Sequence, residues 1–213
     1  MAYFLITRPN HDLPTTYLHA WSTAVTQQAE KSGFSIIDLD KEKANRPNLE
    51  KYLTTKKASF IFLNGHGSED VICGYMDEVL LDKSTKPESI NDSIIYARSC
   101  NAGSRLAPTL VSKGLKAFIG YKEAFSFHYL VDYASKPLKD KLAELFLTPS
   151  NLVGSTILKG STVSDAHDRS SRQMRQNLSN LISSSDKTFR DAAPAMYFNI
   201  LSQVLVGDAN AKV

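Results

Sequence analysis

Short apolar runs alternate with stretches of helical spacing along most of the chain. Residues 3–7 form an apolar run ended by Arg8-Pro9-Asn10. They fit a buried parallel strand, where both faces are covered and polar alternation disappears. Residues 15–32 place Leu18, Trp21, Val25 and Ala29 at helical spacing before Gly33, which predicts a helix with a glycine stop. Residues 35–39 read as a second strand and 48–57 as a short polar helix after Pro47. Residues 59–63 read as a third strand, ended by Asn64-Gly65-His66-Gly67. The order βαβαβ predicts a doubly wound parallel sheet.

The second half continues the theme less regularly. Residues 71–81 read as a hairpin, 83–92 as a polar loop, and 93–98 as a fourth core strand. A helix over 104–113 should stop at Gly114, and 116–120 gives a fifth strand. Residues 133–147 form an amphipathic helix entered near Pro137. From 154 to 190 the chain is rich in Ser, Asn, Gln and charge, so a polar helix or a flexible segment is expected there, with a loose end at 183–185. Residues 197–206 are apolar again and return to the core as a last strand. No repeat or second domain interrupts residues 1–213, which are read as one domain.

Composition narrows the function classes. At 42% hydrophobic and 22% charged residues, a 213-residue chain can bury a core without staples. The net charge of +3 comes from scattered basic residues, which argues against direct nucleic-acid binding. The apolar start, Met1 to Ile6, breaks at Thr7-Arg8-Pro9, too soon for a signal core or a membrane span. Two cysteines, Cys73 and Cys100, give no disulfide framework and no zinc-type Cys/His spacing. No metal or cofactor is expected, and a reducing cytoplasm is the expected location. Arg8-Pro9-Asn10-His11-Asp12 is not a glycine-rich phosphate loop, and no Gly-x-Ser-x-Gly stands at a strand end.

Two segments share one layout. Phe60-Ile61-Phe62-Leu63 runs into Asn64-Gly65-His66-Gly67, and Ile94-Ile95-Tyr96-Ala97 runs into Arg98-Ser99-Cys100-Asn101-Ala102-Gly103. Ligands of open parallel sheets bind beyond the carboxyl ends of the strands. Adjacent parallel strands would therefore deliver an imidazole and a thiol to one rim. A free thiol with a pKa of about 8.5 is mostly protonated at neutral pH, and a nearby imidazole can take that proton and later protonate a leaving amine. The Gly67 and Cys100 N–H groups would form an oxyanion hole, worth about 3 kcal/mol per donor. Cys73 reads as core, and His11, His19 and His167 as surface residues. His128 follows the candidate pocket. Asn64 either orients His66 or caps its turn.

The apolar run before His66-Gly67, and that before Ser99-Cys100-Asn101-Ala102-Gly103, resemble the paired motifs of clan CD cysteine peptidases, the caspase-like clan. Residues 106–120 are similar to the helix, glycine and strand after the nucleophile in CHAT-domain and gingipain-like members. Gln203-Val204-Leu205-Val206-Gly207-Asp208 resembles their terminal strand. The resemblance spans residues 59–208. It implies an α/β fold: a caspase-like three-layer αβα sandwich around a mainly parallel sheet. It also implies a cysteine endopeptidase with His66 and Cys100 as its dyad. Caspases carry Gln-Ala-Cys-x-Gly and a His-to-Cys spacing of about 50. Here the spacing is 34 residues, from 66 to 100, so the compact CHAT or gingipain-like branch fits better.

In that clan, the segment after the strand following the nucleophile helps line the P1 pocket, here residues 121–127. Relatives that cleave after Arg or Lys use acidic pocket residues, which makes Glu123 the first candidate acid and Asp70 the second. The resemblance further implies a protein or peptide substrate and a regulatory protein partner. The alternative is a catalytically silent caspase-like fold that binds proteins.

Overall fold

The structure is a computed structural model and describes residues 2–213; Met1 lies outside the described residues. In chain order the elements begin with β1 (Tyr3–Arg8), α1 (Leu13–Lys31), β2 (Ser35–Asp40), α2 (Arg46–Lys56) and β3 (Phe60–Asn64). A hairpin of β4 (Val71–Cys73) and β5 (Val79–Asp82) follows, then α3 (Pro87–Ile90), β6 (Ile94–Arg98), α4 (Leu106–Ser112) and β7 (Ala117–Tyr121). The chain closes with α5 (Lys141–Leu158), α6 (Val163–Ser183), α7 (Lys187–Asp191), α8 (Ala193–Ser202) and β8 (Gln203–Gly207).

Six strands form one sheet in the order β2-β1-β3-β6-β7-β8. All neighbours are parallel except β7 and β8. β3, β6 and β7 are buried along their whole length, which accounts for their unbroken apolar sequence. Successive side chains still alternate between faces. Phe60, Phe62, Ile94, Tyr96 and Ile119 pack with Val25 of α1, Val153 and Ile157 of α5 and Val163 of α6. Ile61, Leu63, Ile95 and Phe118 pack on the other face with Leu49 and Leu53 of α2 and Leu106 and Leu110 of α4. This is a three-layer αβα sandwich. Strand order reverses at β1, whose neighbours are β2 and β3. The crossovers through α1 and α2 therefore lie on opposite faces and open a crevice at the carboxyl ends of β1 and β3. No helix among the described residues is long and apolar enough to cross a membrane.

Several expected elements fall differently. The helix expected over 133–147 begins only at Lys141, because buried Asp140 caps it, accepting from the Leu142 and Ala143 N–H groups. Residues 154–190 are mostly helical, with breaks at 159–162 and 184–186. The first five residues finish α5, and Gly160 at φ +80° turns the chain. Thr162 and Asp165 then form a capping box that starts α6, whose Val163, Ala166, Met174 and Leu181 are buried. Residues 83–92 contain the short α3 instead of loop alone. Residues 197–202 belong to α8, which has Pro194 in its first turn, so the last strand is only Gln203–Gly207.

Candidate active site

The crevice gathers side chains from three strand ends. Asn64 and Arg98 are register partners in β3 and β6, and His66 and Cys100 each stand two residues beyond them. A buried polar network ties the ends together. Asn64 Nδ2 donates to the Thr7 carbonyl at 2.6 Å, its backbone N–H donates to Thr7 Oγ1 at 2.9 Å, and its Oδ1 accepts from Arg98 Nε at 2.7 Å. Asn64 thus hydrogen-bonds Thr7 and Arg98, not His66, and does more than cap a turn; it cross-links β1, β3 and β6. Arg98 is fully buried. Its other donors reach Asn151 Oδ1 at 3.0 Å and the Leu18 carbonyl at 3.2 Å, and its guanidinium lies 4.8 Å from the Phe62 ring centroid. No carboxylate among the described residues pairs with it. Burial pulls its pKa down to about 10, which leaves it charged at neutral pH.

Glycines set the approach of the two reactive loops. Gly65 has φ +147°, and a Cβ there would lie 2.1 Å from the Cys73 carbonyl oxygen. A Cβ on Gly67 would lie 2.0 Å from Ser99 Oγ and 2.7 Å from the Val71 carbonyl oxygen. Ser99 Oγ donates to the His66 carbonyl at 2.9 Å, so the loop carrying the imidazole rests directly on the loop carrying the thiol. Beyond Cys100 the chain turns sharply at Asn101, φ +60°, whose N–H donates to the Glu123 carbonyl.

His66 Nε2 stands 2.6 Å from Asp12 Oδ2. Asp12 is the N-cap of α1; its carboxylate accepts from the Thr15 N–H at 2.8 Å and from the Thr15 hydroxyl at 2.6 Å. Burial works against the charge, but the bonds from Thr15 and His66 outweigh it and hold the carboxyl below its ordinary value. The Cys100 thiol is partly buried, and burial pushes its pKa up. Its one hydrogen-bond contact among the described residues is the Phe125 carbonyl at 3.9 Å. The backbone N–H groups of Gly67 and Cys100 donate to no protein group among the described residues.

His66 and Cys100 line one cavity of about 230 Å³, together with Leu18, Arg98, Phe125 and Phe127. The two candidate pocket acids stand elsewhere. Glu123 is exposed on a neighbouring groove with Phe198 and Leu201, which meets the cavity at Ser126. Asp70 is ion-paired with Arg105 at 2.7 Å. Cys73 is buried. His128 stacks on Phe146, ring centroids 6.0 Å apart, and is not part of the cavity lining. His167 Nε2 stands 3.4 Å from the Gln203 carbonyl. His11 and His19, expected at the surface, are placed otherwise. His19 pairs with Asp40 at 2.6 Å, and the His11 side chain is only 7% exposed. The sequence reading passed over Asp12. Its signal was there in Asp12-Leu13-Pro14-Thr15, a helix-start pattern just past the end of β1.

No protein-family profile matches the sequence, and no curated protein is similar to it. Solved structures match by fold. One is the complex of the pro- and mature domains of Porphyromonas gingivalis RgpB, at TM-score 0.61 and 10% identity, covering 100% of this chain and 48% of that one. Another is the Arg-specific cysteine proteinase gingipain R (RgpB), at TM-score 0.61 and 11% identity, covering 100% and 47%. The chain spans about half the length of these proteins. The likeness, with the αβα layering and the mainly parallel sheet, is one of fold, the caspase-like fold.

Proposed function

We propose that the chain is a cysteine endopeptidase in which Cys100 is the nucleophile, His66 the general base and acid, and Asp12 the residue that positions His66. The observation that carries this reading is the shared cavity of Cys100 and His66, with the imidazole held from behind by Asp12. Because Asp12 engages Nε2, the other ring nitrogen, Nδ1, is left to serve the thiol. Burial keeps Cys100 a thiol at rest, so its proton must pass to His66 as sulfur attacks the scissile carbonyl. The Asp12 carboxylate stabilises the resulting imidazolium. The Gly67 and Cys100 N–H groups meet the oxyanion. His66 then gives its proton to the leaving amine, and water, deprotonated by the same imidazole, releases the acyl group from sulfur.

Within the clan, the short His-to-Cys spacing supports the compact CHAT or gingipain-like branch. The single-domain reading and control by a regulatory protein partner belong to this proposal, as does a reducing location such as the cytoplasm. A resting thiol whose one hydrogen-bond contact among the described residues is the Phe125 carbonyl, not His66, supports such control, since a partner that closes the cavity would bring the two together. A preference for Arg or Lys at P1 requires an acid in contact with the substrate side chain. Glu123 can supply one only to a chain that passes Ser126 into the neighbouring groove. Fluorogenic peptides with Arg, Lys, Asp or Leu at P1 test this: cleavage after Arg that disappears in Glu123→Gln assigns Glu123 that role, and cleavage after Asp or Leu removes it.

The central test is covalent labelling with a peptidyl acyloxymethyl ketone. Adduct mass on Cys100 that is lost in Cys100→Ala and strongly reduced in His66→Ala is the expected result. Equal labelling of Cys73, or labelling indifferent to His66, ends the peptidase reading. A biological effect that survives Cys100→Ala would instead favour the silent, protein-binding alternative.

A further inference from the structure

Behind the imidazole of His66 lies a side chain, His11, that the proposed peptidase chemistry does not use. One donor atom each from His11, Asp12 and His66 lies within 4.8 Å of the others. The His11 side chain is 7% exposed, and both of its ring nitrogens are buried without a hydrogen-bond partner among the described residues. Its ring stands 6.0 Å from that of His66 and 5.5 Å from that of Tyr75, edge-on in both cases. The nearest acid, Asp77, is 3.6 Å from Nε2, beyond hydrogen-bond reach, and is itself 63% exposed. An imidazole buried with neither nitrogen satisfied is unfavourable, unless a ligand takes the lone pair.

We propose that His11, Asp12 and His66 form a site for a divalent transition-metal ion such as zinc, and that the bound ion withdraws His66 from catalysis. Two imidazoles and one carboxylate are a donor set for zinc and its first-row neighbours, not for calcium or magnesium. Bonds of about 2.0–2.1 Å in tetrahedral geometry put donor atoms roughly 3.3 Å apart. The 2.6 Å contact between His66 and Asp12 must therefore open slightly, and His11 must move inward by about an ångström or more. The metal takes the Nε2 lone pair, and the proton that Nε2 shared with Asp12 moves to Nδ1, which can then no longer accept the Cys100 proton. Water, or Asp77 after a side-chain rotation, fills the fourth position. No zinc-type spacing is visible in the sequence because the three ligands come from two loops that meet only beyond the ends of β1 and β3. The site stands on geometry alone. Its inhibitory consequence rests on the peptidase reading.

The test separates the two. Zinc is titrated calorimetrically into the full chain carrying Cys100→Ser, so that the Cys100 thiolate cannot act as the ligand, and cobalt is added in parallel as a spectroscopic probe whose bands would reveal any bond to the remaining thiol, Cys73. One equivalent of zinc and visible cobalt bands of a low-coordinate nitrogen and oxygen site are expected. His11→Ala should weaken binding at least tenfold, and His11→Asn does the same if the alanine variant fails to fold. In the wild-type chain, zinc should suppress peptide cleavage over the range in which it binds, with recovery on adding EDTA. In the His11 variant, tenfold more zinc should be needed relative to that variant's own metal-free rate. Absence of stoichiometric binding in the Cys100→Ser chain, or binding indifferent to His11, overturns the site. Binding as described in a chain that cleaves no peptide leaves the site standing and removes the peptidase reading.

Discussion

The imidazole of His66 and the carboxylate of Asp12 meet at 2.6 Å across 54 residues of sequence. Asp12 does two jobs with one carboxylate, capping α1 through Thr15 and holding His66. Asn is as good an N-cap as Asp, so Asp12→Asn separates the two. In that variant kcat should fall roughly 10- to 100-fold with little change in KM, while the melting temperature stays put. Asp12→Ala removes the cap as well and should lower stability by a further ~1 kcal/mol, read by urea unfolding. An unchanged kcat in Asp12→Asn would mean that the residue acts only as a cap.

Asn64 is the knot joining β1, β3 and β6 beneath the site. Asn64→Ala strips buried Arg98 of an acceptor and leaves its charge less satisfied. Bonds to charged groups contribute about 1.5–3 kcal/mol, so unfolding stability should drop by roughly that amount. Activity should fall with it, because both reactive loops begin at this knot. Chemical denaturation of the purified variant measures the first effect, and peptide turnover the second.

Gly67→Ala should be far more damaging than its single methyl implies. The new Cβ would stand 2.0 Å from Ser99 Oγ and 2.7 Å from the Val71 carbonyl oxygen. The hydroxyl can rotate away, but the carbonyl belongs to the hairpin strand β4. The His66 loop must therefore lift off the Cys100 loop, and kcat/KM should fall by about 100-fold or more. Adding Ser99→Ala should not restore it. Recovery in that double variant would show that the hydroxyl, not the hairpin backbone, sets the spacing.

Cys100 should be a sluggish nucleophile in the substrate-free chain. Burial raises its pKa, so alkylation by iodoacetamide should be slow at pH 7 and climb beyond the free-thiol value of about 8.5. The linked stability has a definite sign. A raised folded-state pKa favours the protonated thiol in the folded state, so this contribution is complete below about pH 8.5 and is lost as pH rises through the folded value. Mass spectrometry after timed alkylation should find Cys100 modified well before buried Cys73.

Much of this protein could be read from its sequence, because what sets a buried parallel strand is local. The unbroken apolar runs at β1, β3, β6 and β7 identified the sheet, and the reactive residue just past each of two runs identified the rim. Where the reading failed, the deciding contact was distant. Asp140 starts α5 late because it is buried against Tyr17 and Leu130 as well as capping the helix. The polar stretch before residue 190 is helix because its few apolar residues find a core to pack against. The site divides in the same way. His66 and Cys100 could be paired from sequence because each follows its own strand. Asp12, the unsatisfied His11 and the exclusion of Glu123 from the cavity could not, because strand order and the paths of three loops decide them. Strand order follows from which apolar faces bury best together, and that is settled by the whole chain at once.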